Sequence, residues 1–332
     1  MVAITAGQQR SWHKARDRLA SLRRVVIWGH PLHSHTHSYI HAGYASAFRY
    51  LGAETLWVDS PDALALPDMR GTLFFSEGQA VSGMPLRKDC LYVLHNVDGQ
   101  VYEGVQERVL ALQVLTNEVR ERARSGRQTQ RVNDYTYVES GTGVTHLYQP
   151  WATDLLPEEI DFDVPLPRPW PKGRLRRGLR KLRTGPLKAV WVGTIGGGKF
   201  GNENEVGPFR AACDAAGIQW VHKQNLSRAS HVRLVRASLL APAIVGSWQL
   251  ENGYVPCRLF KNVSYGRLAL TNSPWAQALF EEPVLCRTDT AELFAVGAEQ
   301  ARDRDAILAQ MREVKDRHTY VNRVATIMEY LP

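Results

Sequence analysis

The chain has 332 residues, more than one hydrophobic core usually organises, so two domains of roughly 150 residues each are expected. A hydrophobic content of 44 % with nine Trp and twelve Tyr excludes a disordered chain. The formal charge of +8 points towards a polyanion until it is located: nine Arg or Lys and no acid lie between Arg168 and Lys188, which leaves the remainder near −1.

Residues 1–24 read as a basic amphipathic helix. Arg24-Val-Val-Ile-Trp28 is a short apolar strand broken by Gly29-His-Pro31, and a polar loop follows. Ser38 is the expected cap of a helix running through Ala45 and Phe48 to Leu51, with Gly52 as its stop and 54–58 as the next strand. Strand, helix and strand within about 35 residues make a βαβ unit and imply parallel pairing. Further strands are expected over 72–76, 90–95, 113–116 and 135–138. Residues 1–165 are thus one Rossmann-like domain.

Prolines at 165, 167, 169 and 171 mark 166–187 as an extended basic linker. Its charge suits a phosphate backbone, an anionic membrane surface or plain solvation.

The second domain, 188–332, opens on the strand Lys188-Ala-Val-Trp-Val192 and the loop Gly193-Thr-Ile-Gly-Gly-Gly198-Lys-Phe-Gly201. Five glycines after a strand let a backbone approach a ligand closely and offer N–H groups to phosphate oxygens. The spacing is neither the dinucleotide GxGxxG fingerprint nor a P-loop. A helix to Ala216 follows, then strands over 218–222 and 238–244, one at 282–286, and a helical tail from Ala291 to Leu331.

Between the last of these strands lies ENGYVPCRLFKNVSYGRLALTNSP, residues 251–274. It reads as a polar loop, a helix over 257–265 with Pro256 at its first position, a Gly266 turn and a strand over 267–271. A helix opening beside a polar loop is an anion site, since its first N–H groups are unpaired and its dipole is positive there.

Arg258-Leu-Phe-Lys261, Ser264-Tyr-Gly266 and the run into Thr271-Asn-Ser resemble the donor-binding segment of GT-B glycosyltransferases, in particular the spore-maturation-type group 1 family and the phage DNA beta-glucosyltransferases. His318-Thr-Tyr320-x-x-Arg323 resembles the closing helix of the former group, so the resemblance covers nearly all of 188–332. It implies two doubly wound Rossmann-like domains facing across a cleft, with the last helix packing back on the first domain. It also implies an arginine, here Arg258, on the diphosphate of a nucleotide sugar. The family pattern places a glutamate on the ribose hydroxyls where this chain has Lys261, so the nucleotide is left open.

The expected function is therefore glycosyl transfer from a nucleotide sugar, such as a UDP- or GDP-sugar, to an acceptor hydroxyl, by inversion and without a required metal or other cofactor. Gly193, Thr194, Gly196, Gly197, Gly198, Lys199, Glu251, Tyr254, Arg258, Lys261 and Ser264 are the donor-side candidates. Inversion needs a base on the acceptor hydroxyl. The strand from Cys90 ends in His95, Asn96 and Asp98 and is similar to the segment of the phage enzymes that ends in the catalytic aspartate, which makes Asp98 the first candidate. His35 and His37 are the second, with His33, His95 and Asn96 on the acceptor side.

His30, His33, His35, His37 and His41 fall within twelve residues. Besides a glycan acceptor, two readings stay open: glycosylation of hydroxymethylated bases in DNA through the 168–188 segment, and a metal-dependent hydrolase built on His33, His35 and His37. The scattered Cys90, Cys213, Cys257 and Cys286, with no CxxC pair, fit buried free thiols in a reducing cytoplasm. No apolar run approaches the roughly 20 residues that span a bilayer, and no signal-peptide pattern opens the chain.

Overall fold

A computed structural model describes residues 5–58, 68–97, 102–115, 129–133, 136–139, 144–164 and 187–332. The chain is mixed α/β and divides into two compact units, Met1–Glu159 with Lys315–Pro332, and Ile160–Val314. Most of the basic segment, 168–186, lies outside the described residues. Among the described residues no helix is long and apolar enough to cross a membrane. All four cysteines are free; Cys90 and Cys213 are buried, Cys257 and Cys286 half-buried.

The first unit is built on β1 (Arg24–Trp28), β2 (Thr55–Val58), β3 (Thr72–Glu77), β4 (Leu91–His95), β5 (Val109–Gln113), β6 (Thr129–Asn133), β7 (Thr136–Glu139) and β8 (Thr145–Tyr148). The sheet order is β2-β1-β3-β4-β5-β8-β7-β6. Pairing is parallel from β2 to β8 and antiparallel from β8 to β6. The strand expected over 113–116 lies earlier, at Val109–Gln113. The apolar run VLALQVL admits either register by pattern, and parallel pairing with β4 and β8 selects the earlier one.

Side chains alternate across this sheet, so both faces are buried. Val26, Trp28, Phe74, Tyr92 and Leu94 form one core. On the other face the Phe75 ring packs tilted against Tyr44 of α2 (Thr36–Tyr50), with centroids 4.3 Å apart. The cap of α2 is His35 rather than Ser38: the imidazole Nδ1 accepts the His37 N–H at 3.3 Å, doing what an Asn side chain does at that position. α1 (Ala6–Ala20) buries Trp12, Ala15 and Leu19 at helical spacing.

The second unit has β9 (Lys188–Val192) paired in parallel with β10 (Gln219–Lys223), and β11 (Leu270–Thr271) with β12 (Leu285–Cys286). The strand expected over 238–244 is reduced to single bridges, Ala189 with Leu240 and Ala243 with Thr271. Pro242 between them has no N–H to give a ladder. Helices α3 (Glu203–Ala215), α4 (Arg228–Arg236), α5 (Ser247–Glu251), α6 (Cys257–Ser264), α7 (Thr290–Gln300) and α8 (Arg304–Arg317) follow. Pro256 is the cap of α6 rather than its first helical residue, with extended backbone (φ −73°, ψ 146°). Gly266 takes the left-handed conformation expected after it (φ 93°).

The helical tail ends in α9 (Tyr320–Tyr330), which belongs to the first unit and packs on α1 and α2. Gly43 makes the α2 approach feasible, since a Cβ there would lie 2.3 Å from the Tyr320 ring.

Candidate functional site

In the second unit the candidate site grows from the end of β9. Gly193 (φ 123°) follows Val192, donates its N–H to the Lys223 carbonyl at 2.9 Å and accepts from His222 Nε2 at 2.7 Å. Arg258, one residue into α6, lies beside it. Its Nε donates to the Val192 carbonyl at 3.0 Å and its guanidinium sits 3.8 Å above the Trp191 ring. A Cβ at Gly193 would come within 2.5 Å of Arg258 Nη2, so the glycine is what lets the guanidinium reach this position. Burial lowers the Arg258 pKa to about 10, still charged at neutral pH. Among the described residues no carboxylate pairs with it. A cation placed this way, held by one carbonyl and an aromatic face, keeps its Nη groups for an anion.

The glycine-rich loop is closed by its own backbone. Asn202 and Glu203 donate to the Gly196 carbonyl at 2.8 and 3.0 Å, and Gly201 donates to Gly198 at 3.1 Å. Asn202 does not cap α3; its side chain instead links the Gly196 N–H to the Ile244 carbonyl. Gly196, Gly197, Gly198 and Lys199 line a pocket of about 420 Å³ at the start of α3, joined by Glu203 and Ser247. Glu205, also on its wall, accepts from the Ser247 N–H and hydroxyl at 3.1 and 2.6 Å.

The other donor-side candidates are placed as follows. Thr194 is exposed and Tyr254 half-buried, and Glu251 is exposed at the end of α5. Lys261 is 5 % exposed and Ser264 is fully buried, its hydroxyl donating to the Lys261 carbonyl at 2.9 Å; neither lines the pocket. Lys261 faces inward because α6 is covered on nearly all sides.

In the first unit β1, β3 and β4 are neighbours, and their carboxyl ends bring the histidines together. Gly29, His30 and His33 all have positive φ (79°, 52° and 73°), an unusual conformation for the two imidazole residues. His30 Nε2 lies 2.9 Å from Glu77 Oε2, and His37 Nδ1 lies 3.6 Å from Glu77 Oε1. The His30 and His35 rings stack at 4.5 Å. Deeper, His41 and His95 are fully buried with their Nε2 atoms 3.1 Å apart. Asn96, also at positive φ, reaches His37 Nε2 at 3.4 Å. His33 turns away, its Nδ1 at 2.9 Å from the Tyr39 hydroxyl.

Burial works against the charged form of four of these rings, His35, His37, His41 and His95. It lowers His35, reinforced by His30, and takes His37 down to about 4 against the pull of Glu77. His41 falls to about 3 and His95 far below its ordinary value for the same reason. Asp98, the first candidate base, lies outside the described residues. Glu77 and Trp191 were not visible as site residues by motif. Both sit at the ends of apolar strands, and only strand order shows what stands beside them.

Residues 189–329 match a family model described as glycosyl transferase-like. This part of the chain is a glycosyltransferase-like domain. The match contains both the glycine-rich loop and Arg258, and the enzyme class it indicates is glycosyltransferase. No curated protein matches the chain in sequence. Among solved structures, similarity is found to an alpha,alpha-trehalose-phosphate synthase (UDP-forming) from Burkholderia xenovorans, at 12 % identity and a TM-score of 0.49, covering 96 % of this chain and 82 % of that one. An alpha-glucosyltransferase in complex with UDP is similar at 10 % identity and a TM-score of 0.45, over 90 % and 95 % of the two chains. The N-terminal domain of a Candida albicans trehalose-6-phosphate phosphatase is similar at 10 % identity and a TM-score of 0.45, over 99 % and 82 %.

Proposed function

We propose that the chain transfers a sugar from a nucleoside diphosphate sugar, of the UDP- or GDP-sugar kind, to an acceptor hydroxyl, with a glycan as acceptor. The observation that carries this is Arg258: a half-buried guanidinium on Trp191, with no carboxylate partner among the described residues, next to a glycine-rich loop on a glycosyltransferase-like domain. In this reading Arg258 and the N–H groups of Gly197 and Gly198 take the diphosphate, and the charge that grows on the leaving group is met by donors already in place. Glu203 and Glu205 offer acceptors to sugar or ribose hydroxyls at the pocket that the glycine-rich loop lines. Lys199 is on its wall, Thr194, Glu251 and Tyr254 lie near the lining residues in sequence, and Lys261 and Ser264 support α6 from inside. A cation at the diphosphate does there what a divalent metal does elsewhere, so transfer proceeds without one at that position.

Asp98 acts as the base. It removes the acceptor proton as the oxygen attacks the anomeric carbon and the nucleoside diphosphate departs from the opposite side, with inversion. His33, His95 and Asn96 belong to the acceptor side, where His35 and His37 are the alternative bases. A DNA acceptor is the second reading, favoured by the nine basic residues from Arg168 to Lys188.

Calorimetric titration with UDP and with GDP tests the donor assignment. Arg258→Ala should weaken whichever nucleotide binds by about 10- to 100-fold, the effect of losing a charge-assisted hydrogen bond worth about 1.5–3 kcal/mol. Unchanged affinity in a folded variant would remove Arg258 from the donor site. Asp98→Asn should leave that affinity near wild type and lower kcat by roughly 10²- to 10⁴-fold, as loss of a general base does. Wild-type turnover in this variant would move the base to the histidine loop.

A further inference from the structure

The histidine cluster of the first unit offers chemistry beyond its place on the acceptor side. One ring nitrogen from each of His30, His35 and His37 lies within 4.8 Å of the other two. We propose that His30, His35 and His37, backed by Glu77, form a binding site for one divalent first-row transition-metal ion of the zinc class.

Three features support it besides proximity. The first is the backbone. His30 and His33 both occupy the left-handed region, where side chains other than glycine are rare, and this turn is what swings His30 back towards the end of β3. Gly29 fixes the same turn from the other side, since a Cβ there would lie 2.4 Å from Ala80 Cβ. The second is Glu77, whose side chain is 3 % exposed and whose two oxygens address two of the three rings, at 2.9 and 3.6 Å. At His30, where the contact is of hydrogen-bond length, the carboxylate accepting the Nε2–H leaves Nδ1 with its lone pair for a ligand and raises its basicity. The third is charge. Three imidazoles packed this closely repel one another when protonated, whereas as neutral donors around a cation they and the buried carboxylate become mutually supportive.

Imidazole donors select zinc, copper, nickel or iron over magnesium and calcium, which prefer oxygen. Zinc–nitrogen distances of about 2.0–2.1 Å bring ligand nitrogens to roughly 3.3 Å of one another, so the loop closes by about an ångström or slightly more on binding. His35 gives up its long cap bond to the His37 N–H in exchange. His33 is not a ligand, being engaged with Tyr39. The assignment leaves Asp98 as the base, since ligated His35 and His37 have no lone pair to accept a proton.

The test uses the full chain, stripped with a chelator and titrated with Zn²⁺ against a chromophoric competitor, and with Co²⁺ read by its visible ligand-field absorption. One equivalent of Zn²⁺ should bind at micromolar concentration, and Co²⁺ should show the intense bands of a low-coordinate site. Glu77→Gln should weaken binding by roughly 10- to 100-fold, as loss of an outer carboxylate does. His30→Ala and His35→Asn should weaken it further; the asparagine keeps an acceptor for the α2 cap, so its loss of metal is not a loss of fold. His33→Ala should leave zinc affinity within about threefold. The proposal is overturned if no stoichiometric Zn²⁺ binds, or if His30→Ala and folded His35→Asn bind it as tightly as wild type.

Discussion

Arg323→Met should lower the stability of the first unit by about 3–5 kcal/mol, because it strands several buried acceptors at once. Arg323 is fully buried on α9. Its Nε donates to the Pro150 carbonyl at 2.7 Å, Nη1 to Arg317 at 2.9 Å, and Nη2 to Trp151 at 3.1 Å and to His318 Nδ1 at 3.0 Å. Methionine fills the volume but leaves these acceptors buried without donors, each costing about 1–3 kcal/mol. Lysine does not rescue them, because a single ammonium cannot reproduce the planar fork. The check is denaturant unfolding followed through a first-unit probe, with a matching fall in Tm on the order of 10 °C. A loss under 1 kcal/mol would mean that the carbonyls find other donors.

Gly246→Ala should cripple the glycine-rich loop. Gly246 precedes α5 with φ −79°, a conformation any residue adopts, so the effect is one of space. The added Cβ would sit 1.8 Å from the Gly201 carbonyl oxygen, and backbone must move to admit it. Gly201→Ala meets the Gly196 carbonyl at 2.0 Å in the same way. Overpacking of this kind costs about 1–3 kcal/mol. The displaced element is the one that lines the pocket, so nucleotide affinity should fall at least tenfold in either variant. Gly207→Ala is the internal control: apart from its chain neighbours nothing lies within 4 Å of its Cβ, and because Pro208 disfavours a helical Cβ on the residue before it, the substitution should not stabilise α3 but should leave nucleotide affinity unchanged. Nucleotide binding unchanged in Gly246→Ala would show that the loop does not hold the donor.

The parts of this fold that pattern reveals are those whose period and punctuation agree. β1 and β9 are short apolar runs bounded by charge and glycine, and both lie where the run ends. α6 is framed by Pro256 and Gly266. The glycine-rich loop and Arg258 are legible for the same reason, since both stand at element boundaries. What escapes is whatever depends on pairing. Glu77 looks like the polar end of one strand until β3 is known to lie beside β1, which puts it against His30. Which histidines converge is hidden likewise: sequence spacing groups His33 with His35 and His37, while the left-handed turn brings in His30 and sends His33 to Tyr39. Lys261 misleads because a short helix buried nearly all round has no polar face to assign.

The return of α9 to the first unit has a consequence for how the protein is made. Translation delivers the eight strands of that unit early, but the helix that covers α1 and α2 emerges last, after all of the second unit. Until then Tyr44 lacks Tyr320, 4.6 Å away in the finished structure, and Trp12 and Leu19 belong to a helix still missing its neighbour. The nascent chain therefore carries an open apolar surface while the whole second unit is made, and the second unit is the first to be topologically complete.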